Sequence, residues 1–164
     1  MFMSEVAHML RQEGYVVEIE PKGAFSNPDA GNKHGDILVP HGPGDRTYLL
    51  DVSFASLSGP YRGPSNVGQY AKTREAAKDR TYYEFCKEDT MLFEPFVLET
   101  PGTWGRRAMD FMHRLFKESK RPFSPINFTA RTPKQYWFQR LSVCAQRLTA
   151  RKVDSMVADA LYNQ

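Results

Sequence analysis

The sequence predicts an α/β fold: a four-stranded mixed sheet flanked by helices, followed by a C-terminal helical extension. Three observations predict it. Segments with helix and strand character follow one another as helix, strand, strand, strand, helix, strand. Residues Thr47 to Ala55 alternate, with Tyr48, Leu50, Val52 and Phe54 on one face and Leu49, Asp51, Ser53 and Ala55 on the other. Beyond Trp104, apolar residues recur at helical spacing, as in Ala108, Met109, Phe111, Met112, Leu115 and Phe116.

In chain order, Ser4 is the expected cap of a helix from Glu5 to Glu13, with Val6, Met9 and Leu10 as its apolar stripe and Gly14 as its end. Tyr15 to Glu20 (YVVEIE) reads as a strand, and Pro21 to His34, rich in Gly, Pro, Asn and Asp, as a loop. Gly35 to Pro40 and Thr47 to Ala55 form a hairpin around the turn His41–Arg46. Ser56 to Ser65 is a Pro/Gly-rich loop suited to gating a site. Asn66 to Cys86 is expected as a helix of about five turns. On one face it carries Lys72, Glu75, Lys78 (or Asp79) and Tyr82; Ala71, Ala76, Ala77, Tyr83 and Phe85 supply part of its packed side. Leu92 to Thr100 is a buried strand whose Pro95 argues for an edge position or a bulge near its start. Thr103 caps a helix to about Lys120, and 121–132 is a linker. Thr132 as cap and Pro133 as first residue open a final helix. Its stripe of Trp137, Leu141, Cys144 and Leu148 runs on through Val153, Met156, Val157, Ala160 and Leu161, either as one long helix or as two. The expected division is a core over 1–120 and a basic helical extension over 121–164.

Composition sets the class. The 164 residues are 41% hydrophobic and 25% charged, ordinary values for a globular chain. No apolar run approaches the ~18 residues of a membrane span, and the opening MFMSEVAHMLRQ lacks the pattern of a secretory signal. Cys86 and Cys144 lie far apart in helical segments, so free thiols and a reducing, intracellular compartment are expected. The net charge of +3 is unevenly spread: residues 1–104 hold 10 Lys/Arg against 15 Asp/Glu, whereas residues 105–164 hold 12 against 4. An acidic half that binds a cation, joined to a basic half that attracts phosphate, suits a nucleic-acid enzyme; a solvated helical surface accounts for the same charges.

The chemistry is concentrated between Gly35 and Cys86. Asp36 and Asp51 each interrupt an apolar strand. Burying an aspartate between Leu49, Leu50, Val52 and Phe54 costs several kcal/mol unless a cation or hydrogen bonds compensate. Two carboxylates on neighbouring strands, with a lysine brought up by the following helix, can build a divalent-metal site for phosphodiester hydrolysis. A structural aspartate satisfied by hydrogen bonds is the alternative. Of the histidines, His34 alone lies near enough to Asp36 to assist.

The succession GDILV, LLDVSFAS, an Ala-rich helix with Lys78-x-x-x-Tyr82, and FVLETPGTWG resembles the PD-(D/E)XK nuclease superfamily. Within it, the pattern is similar to the restriction-like endonuclease domain of site-specific non-LTR retrotransposons, and QYWFQRLSVCAQRLTARK resembles the helical tail that follows that domain. The resemblance covers about residues 30–150. It implies a restriction-endonuclease-like core and a metal-dependent DNA endonuclease that nicks or cuts its target. Asp36 and Asp51 would be the metal-binding acids, joined by the Val52 carbonyl and by Glu5 as an extra acid, with Mg²⁺ or Mn²⁺ as cofactor. Lys78 would be the catalytic lysine, with Lys72 as its rival, and Tyr82 the helix tyrosine. Arg106, Arg107, Arg114, Arg140 and Arg147 would contact DNA phosphates. The superfamily's lysine two residues after the second acid is Ser53 here, as in that branch, and the usual proline before the first acid is Gly35. The family's domain normally accompanies a reverse transcriptase and a zinc knuckle, which this sequence does not contain; an excised domain, a domesticated relic and a stand-alone relative all fit. A nuclear location follows if the chain derives from a retroelement. DNA is the expected partner, no membrane is, and a homodimer is allowed. A catalytically inactive nuclease-fold module that binds DNA or protein remains the alternative.

Overall fold

The computed structural model describes residues 2–31, 33–55, 68–100, 102–119 and 130–162. The expected gating loop Ser56–Ser65 and most of the linker 121–132 lie outside the described residues.

The chain is an α/β protein. Helix α1 (Phe2–Gln12) precedes a two-residue strand β1 (Glu18–Ile19) and the hairpin of β2 (Ile37–Gly42) and β3 (Arg46–Ala55). Helix α2 (Gln69–Glu88), strand β4 (Leu92–Glu99), α3 (Arg106–Glu118) and the 30-residue α4 (Pro133–Tyr162) follow. The sheet order is β1-β2-β3-β4, antiparallel as far as β3, with β3 and β4 parallel across the α2 crossover. Pro95 thus lies in an edge strand, as its missing N–H requires.

The alternation in β3 divides the interior. Tyr48, Leu50, Val52 and Phe54 join Ile37, Val39, Phe96 and Leu98 against α1, α3 and the first half of α4, where Trp137, Leu141 and Ala145 are buried. Leu49 and Phe93 face Cys86 and Tyr82 of α2, while Ala55 and Val97 face Ala71. Asp51 and Ser53 therefore lie on the α2 side.

Several boundaries differ from expectation. Helix α1 begins at Phe2 and takes Ser4 into its first turn, because Phe2 is itself a core residue, 3% exposed. Of Tyr15–Glu20 only Glu18 and Ile19 pair as strand; Glu20 has φ +50, which ends the extended run. Thr103 caps nothing: Thr103 to Gly105 instead lie along the free edge of β4, with Glu99 N–H donating to Thr103 O and Gly105 N–H to Val97 O, both at 2.8 Å. This covers the edge and delays α3 to Arg106. Of the expected packed side of α2, Ala71 is buried and Ala77 and Phe85 are half-buried, but Ala76 and Tyr83 are exposed. Its charged face turns inward, with Ala71, Glu75 and Cys86 buried. The cap of α4 is as expected: Thr132 Oγ1 accepts from Gln135 N at 3.2 Å.

Candidate active site

The hairpin register places two carboxylates face to face. Ile37 pairs with Leu50, so Asp36 and Asp51 are the next positions on either strand, and both side chains turn to the α2 face. Asp36 N donates to Leu50 O at 2.9 Å, and its carboxylate continues the ladder by accepting from Val52 N at 2.6 Å. Val52 thus joins the site through its backbone; its N–H is committed to Asp36, and its carbonyl projects to the same side of the strand. Burial raises the Asp36 pKa, opposed by the Val52 hydrogen bond and reinforced by the charge of Asp51. Like charges directly opposite on a sheet repel, so the pair needs a cation.

Lys78 supplies one. Its ammonium donates to Asp51 Oδ1 at 2.8 Å and lies 2.7 Å from Oδ2. The contact to Oδ2 is electrostatic only: that oxygen is buried and has no aligned donor, and Ser53 Oγ, next along the same face, is buried without a partner too. Buried polar atoms in this condition call for a water or an ion. Tyr82, one turn after Lys78, has its phenol pKa raised by burial, by the nearby Asp51 and Asp36 charges and by a hydrogen bond to Asp51. Its ring stacks on Phe93 with centroids 5.0 Å apart, and the Lys78 ammonium lies 5.7 Å from its centre. Asp36, Asp51, Lys78 and Tyr82 are thus brought together.

Other expected members are elsewhere. Lys72 is exposed, and it is Lys78 that reaches Asp51. Glu5 is held by Arg140 at the packing of α1 on α4, on the sheet face opposite Asp51, so it is not a site acid. That bond, together with Tyr136 Oη at 2.8 Å and the rings of Tyr136 and Trp137, commits Arg140 to structure. Arg107 is bound by Asp79 (2.7 Å), Glu94 (3.3 Å) and the Phe93 carbonyl, and Arg114 by Glu94. Neither is free for DNA, because Glu94 is buried in the sheet and needs both guanidiniums to offset its desolvation. Arg106, near Asp110 at 3.8 Å with its side chain 92% exposed, and exposed Arg147 remain open to solvent.

Two further carboxylates set the helices that frame the site. Helices α2 and α3 begin at Gly68 and Gly105, which offer no capping side chain. Glu99, 1% exposed, accepts from Gly68 N at 3.1 Å and Ala71 N at 3.0 Å. Glu75 of α2 accepts from Arg107 N at 3.0 Å. Each carboxylate caps a helix from another element, where the positive end of the dipole favours it. Burial raises the Glu75 pKa nonetheless, opposed by that hydrogen bond and by the Arg107 charge. The test applied to Asp51, an acid inside an apolar strand, also marks Glu94 in LFEPF and Glu99 in FVLE; their partners, lying in α3 and α2, carry no sequence signal.

The glycine at position 35 has a structural cause. Gly35 has φ +59, and a Cβ there would lie 2.8 Å from Leu49 Cγ. Proline, fixed near φ ≈ −65°, cannot adopt this backbone.

As a metal centre the site offers two carboxylates; among the described residues no group of three or more His, Cys, Asp or Glu could hold an ion. Two carboxylates with water completing the shell suit Mg²⁺, which keeps several of its waters. The orphaned Asp51 oxygen and the Ser53 hydroxyl are compatible with such a hydrated ion. No family model matches the chain, and no curated protein matches its sequence.

Proposed function

We propose that the chain is a metal-dependent endonuclease of the PD-(D/E)XK type that hydrolyses phosphodiester bonds in DNA. The observation that carries this reading is the cross-strand pair Asp36/Asp51, enclosed on the α2 face with a single lysine and one carboxylate oxygen lacking an aligned donor. Asp36 and Asp51, with the Val52 carbonyl, would hold Mg²⁺ or Mn²⁺. Bound there, the ion supplies an activated water and offsets the charge that develops on the phosphorane. Asp36 is oriented for this by Val52 N–H. Lys78 holds Asp51 through Oδ1 and presents its remaining N–H groups towards an incoming phosphate oxygen. Tyr82 fixes the Lys78–Asp51 pair by stacking under the ammonium.

A second reading is favoured by the shortage of acids: with Lys78 already beside Asp51 and no third carboxylate among the described residues, the same fold serves as an inactive module that binds DNA or protein. Cleavage of supercoiled plasmid with Mg²⁺ or Mn²⁺, an EDTA control and the Asp36→Ala and Asp51→Ala variants separates the two. Metal-dependent nicking lost in both variants is expected. DNA binding without metal-dependent products in the wild type selects the inactive module, and nicking retained in either variant removes the assigned site.

A further inference from the structure

We propose that the DNA strand is held by the groove that Lys22, Phe25, Asn27, Lys33 and His34 help to line, with Lys22 and Lys33 contacting phosphates that flank the scissile one; this rests on the nuclease reading above. Three of the five expected phosphate contacts are occupied within the protein, and Arg140, on α4, belongs to the face opposite Asp51. A bound strand carries a charge about every 3.4 Å, so the phosphates next to the reacting one must be met on the Asp36/Asp51 face.

The groove is on that face. Lys22, Phe25, Ser26, Asn27, Lys33 and His34 are among the residues lining it. His34 lies two residues before Asp36, and its Nδ1 is 2.9 Å from the Gly35 carbonyl, which ties the groove to the start of the strand that carries the site. Phe25 stacks on Tyr82 with centroids 6.3 Å apart, and the Tyr82 ring lies beside the Lys78 ammonium that holds Asp51, so rings connect the groove to the site. The acids at the end of α2 are turned to a structural use: Asp89 accepts from Ser26 N at 3.0 Å and Ser26 Oγ at 2.5 Å, and Glu88 accepts from Asn27 Nδ2 at 2.9 Å. These bonds pin the groove wall to α2 and leave the two lysines as its cations; Asp29, in the 3-10 turn Pro28–Ala30, is the one acid of the segment itself. Lys33 rests over Phe85 at 4.7 Å, which directs its ammonium without neutralising it. A wall anchored in this way loses little freedom when the strand binds.

The experiment is fluorescence anisotropy of a labelled DNA duplex in EDTA, from low to moderate salt, with full-length wild type, Lys22→Ala/Lys33→Ala, and a charge-matched Lys117→Ala/Lys152→Ala control from α3 and α4. Melting curves check that the folds match. Two lost phosphate contacts are expected to lower the salt slope by about 1.8, at about 0.9 per contact, and to weaken binding at least about tenfold. In the nicking assay the same variant is expected to raise KM and leave kcat near wild type. An unchanged slope in Lys22→Ala/Lys33→Ala, or an equal loss in the control, overturns the groove while leaving the nuclease reading intact. Wild type that binds no DNA even at low salt overturns both.

Discussion

Replacing Lys78 by Met tests whether the two aspartates form a cation site. The variant keeps the aliphatic stem and removes the ammonium that lies 2.8 and 2.7 Å from the Asp51 oxygens. The Asp51 side chain is 5% exposed and that of Lys78 21%, so this is a buried pair with one edge in water. Removing one partner of a buried pair costs about 3–5 kcal/mol, and the partial exposure of Lys78 places the expected loss near the lower end, about 3 kcal/mol. For a chain of this size that is a fall of about 6–12 °C in Tm. Asp36, opposite Asp51, adds repulsion that nothing then offsets. A divalent ion that binds only the native state returns about 2.7 kcal/mol at a hundredfold excess over its Kd. Thermal melts of Lys78→Met should therefore regain most of the lost Tm when Mn²⁺ is added. Lys78→Met/Asp51→Asn should recover much of the stability without metal and respond little to it. Two results refute the reasoning: a Lys78→Met loss below about 1 kcal/mol, which is what an exposed ion pair contributes, or a melt indifferent to Mn²⁺.

Other outcomes follow from the same geometry. Gly35→Ala forces a side chain into φ +59 and against buried Leu49, so denaturant unfolding should show a loss of about 2–5 kcal/mol, the sum of left-handed strain and overpacking. Asp36→Asn should abolish nicking yet be at least as stable as wild type at neutral pH. The sign follows from the raised Asp36 pKa: the folded state holds its proton more tightly than the unfolded chain, so this group's contribution is greatest below the unfolded value of about 3.9 and is lost as pH rises through the folded one. Melts against pH should show the advantage of the variant vanish in acid, and a variant less stable at neutral pH contradicts this. Cys86, 1% exposed with its thiol pKa pushed up to about 12, should resist a disulfide reagent until the chain unfolds, whereas partly exposed Cys144 reacts first.

Much of the fold was legible because it rests on local periodicity. The alternation of Tyr48 to Ala55 assigns each side chain of β3 to its observed face, and Pro95 marks an edge strand. The Asp36/Asp51 pair was legible for a related reason, since a charge in an apolar strand demands a partner wherever it lies. What the sequence concealed is long-range. Helical spacing groups Lys72, Glu75, Lys78 and Tyr82 but does not say that this face turns inward; that depends on Asp51 and on the α3 N-terminus lying beneath it. For the same reason charge counting does not reveal that Arg107 and Arg114 are occupied within the protein. Arg107 and Arg114 belong to the basic half by position, but their partners Asp79 and Glu94 belong to the acidic half, so the two halves neutralise each other inside the fold.

That neutralisation bears on how the site keeps its geometry. Lys78 reaches Asp51 only if α2 starts at the right residue and stays in register along the sheet. Its start is fixed by Glu99 at the end of β4, and β4 pairs with β3 from Tyr48/Leu92 to Ala55/Glu99, the strand that carries Asp51. Its middle is fixed by Glu75, which holds the first turn of α3, and by Asp79, which holds Arg107. Glu99, which sequence reasoning passed over, and Glu75 and Asp79, which it placed on the helix face without a role, thus set the position of the lysine it singled out. Glu99→Ala is the decisive perturbation. It leaves the Gly68 and Ala71 donors without their acceptor, at about 1–3 kcal/mol for a buried unpaired group, and touches neither Asp51 nor Lys78. Hydrogen exchange should quicken at Gly68 and Ala71, and any nicking activity should fall while the DNA salt slope is unchanged. Full protection at both amides in Glu99→Ala would mean that α2 is registered by its packing alone, and that Glu99 is buried for some other purpose.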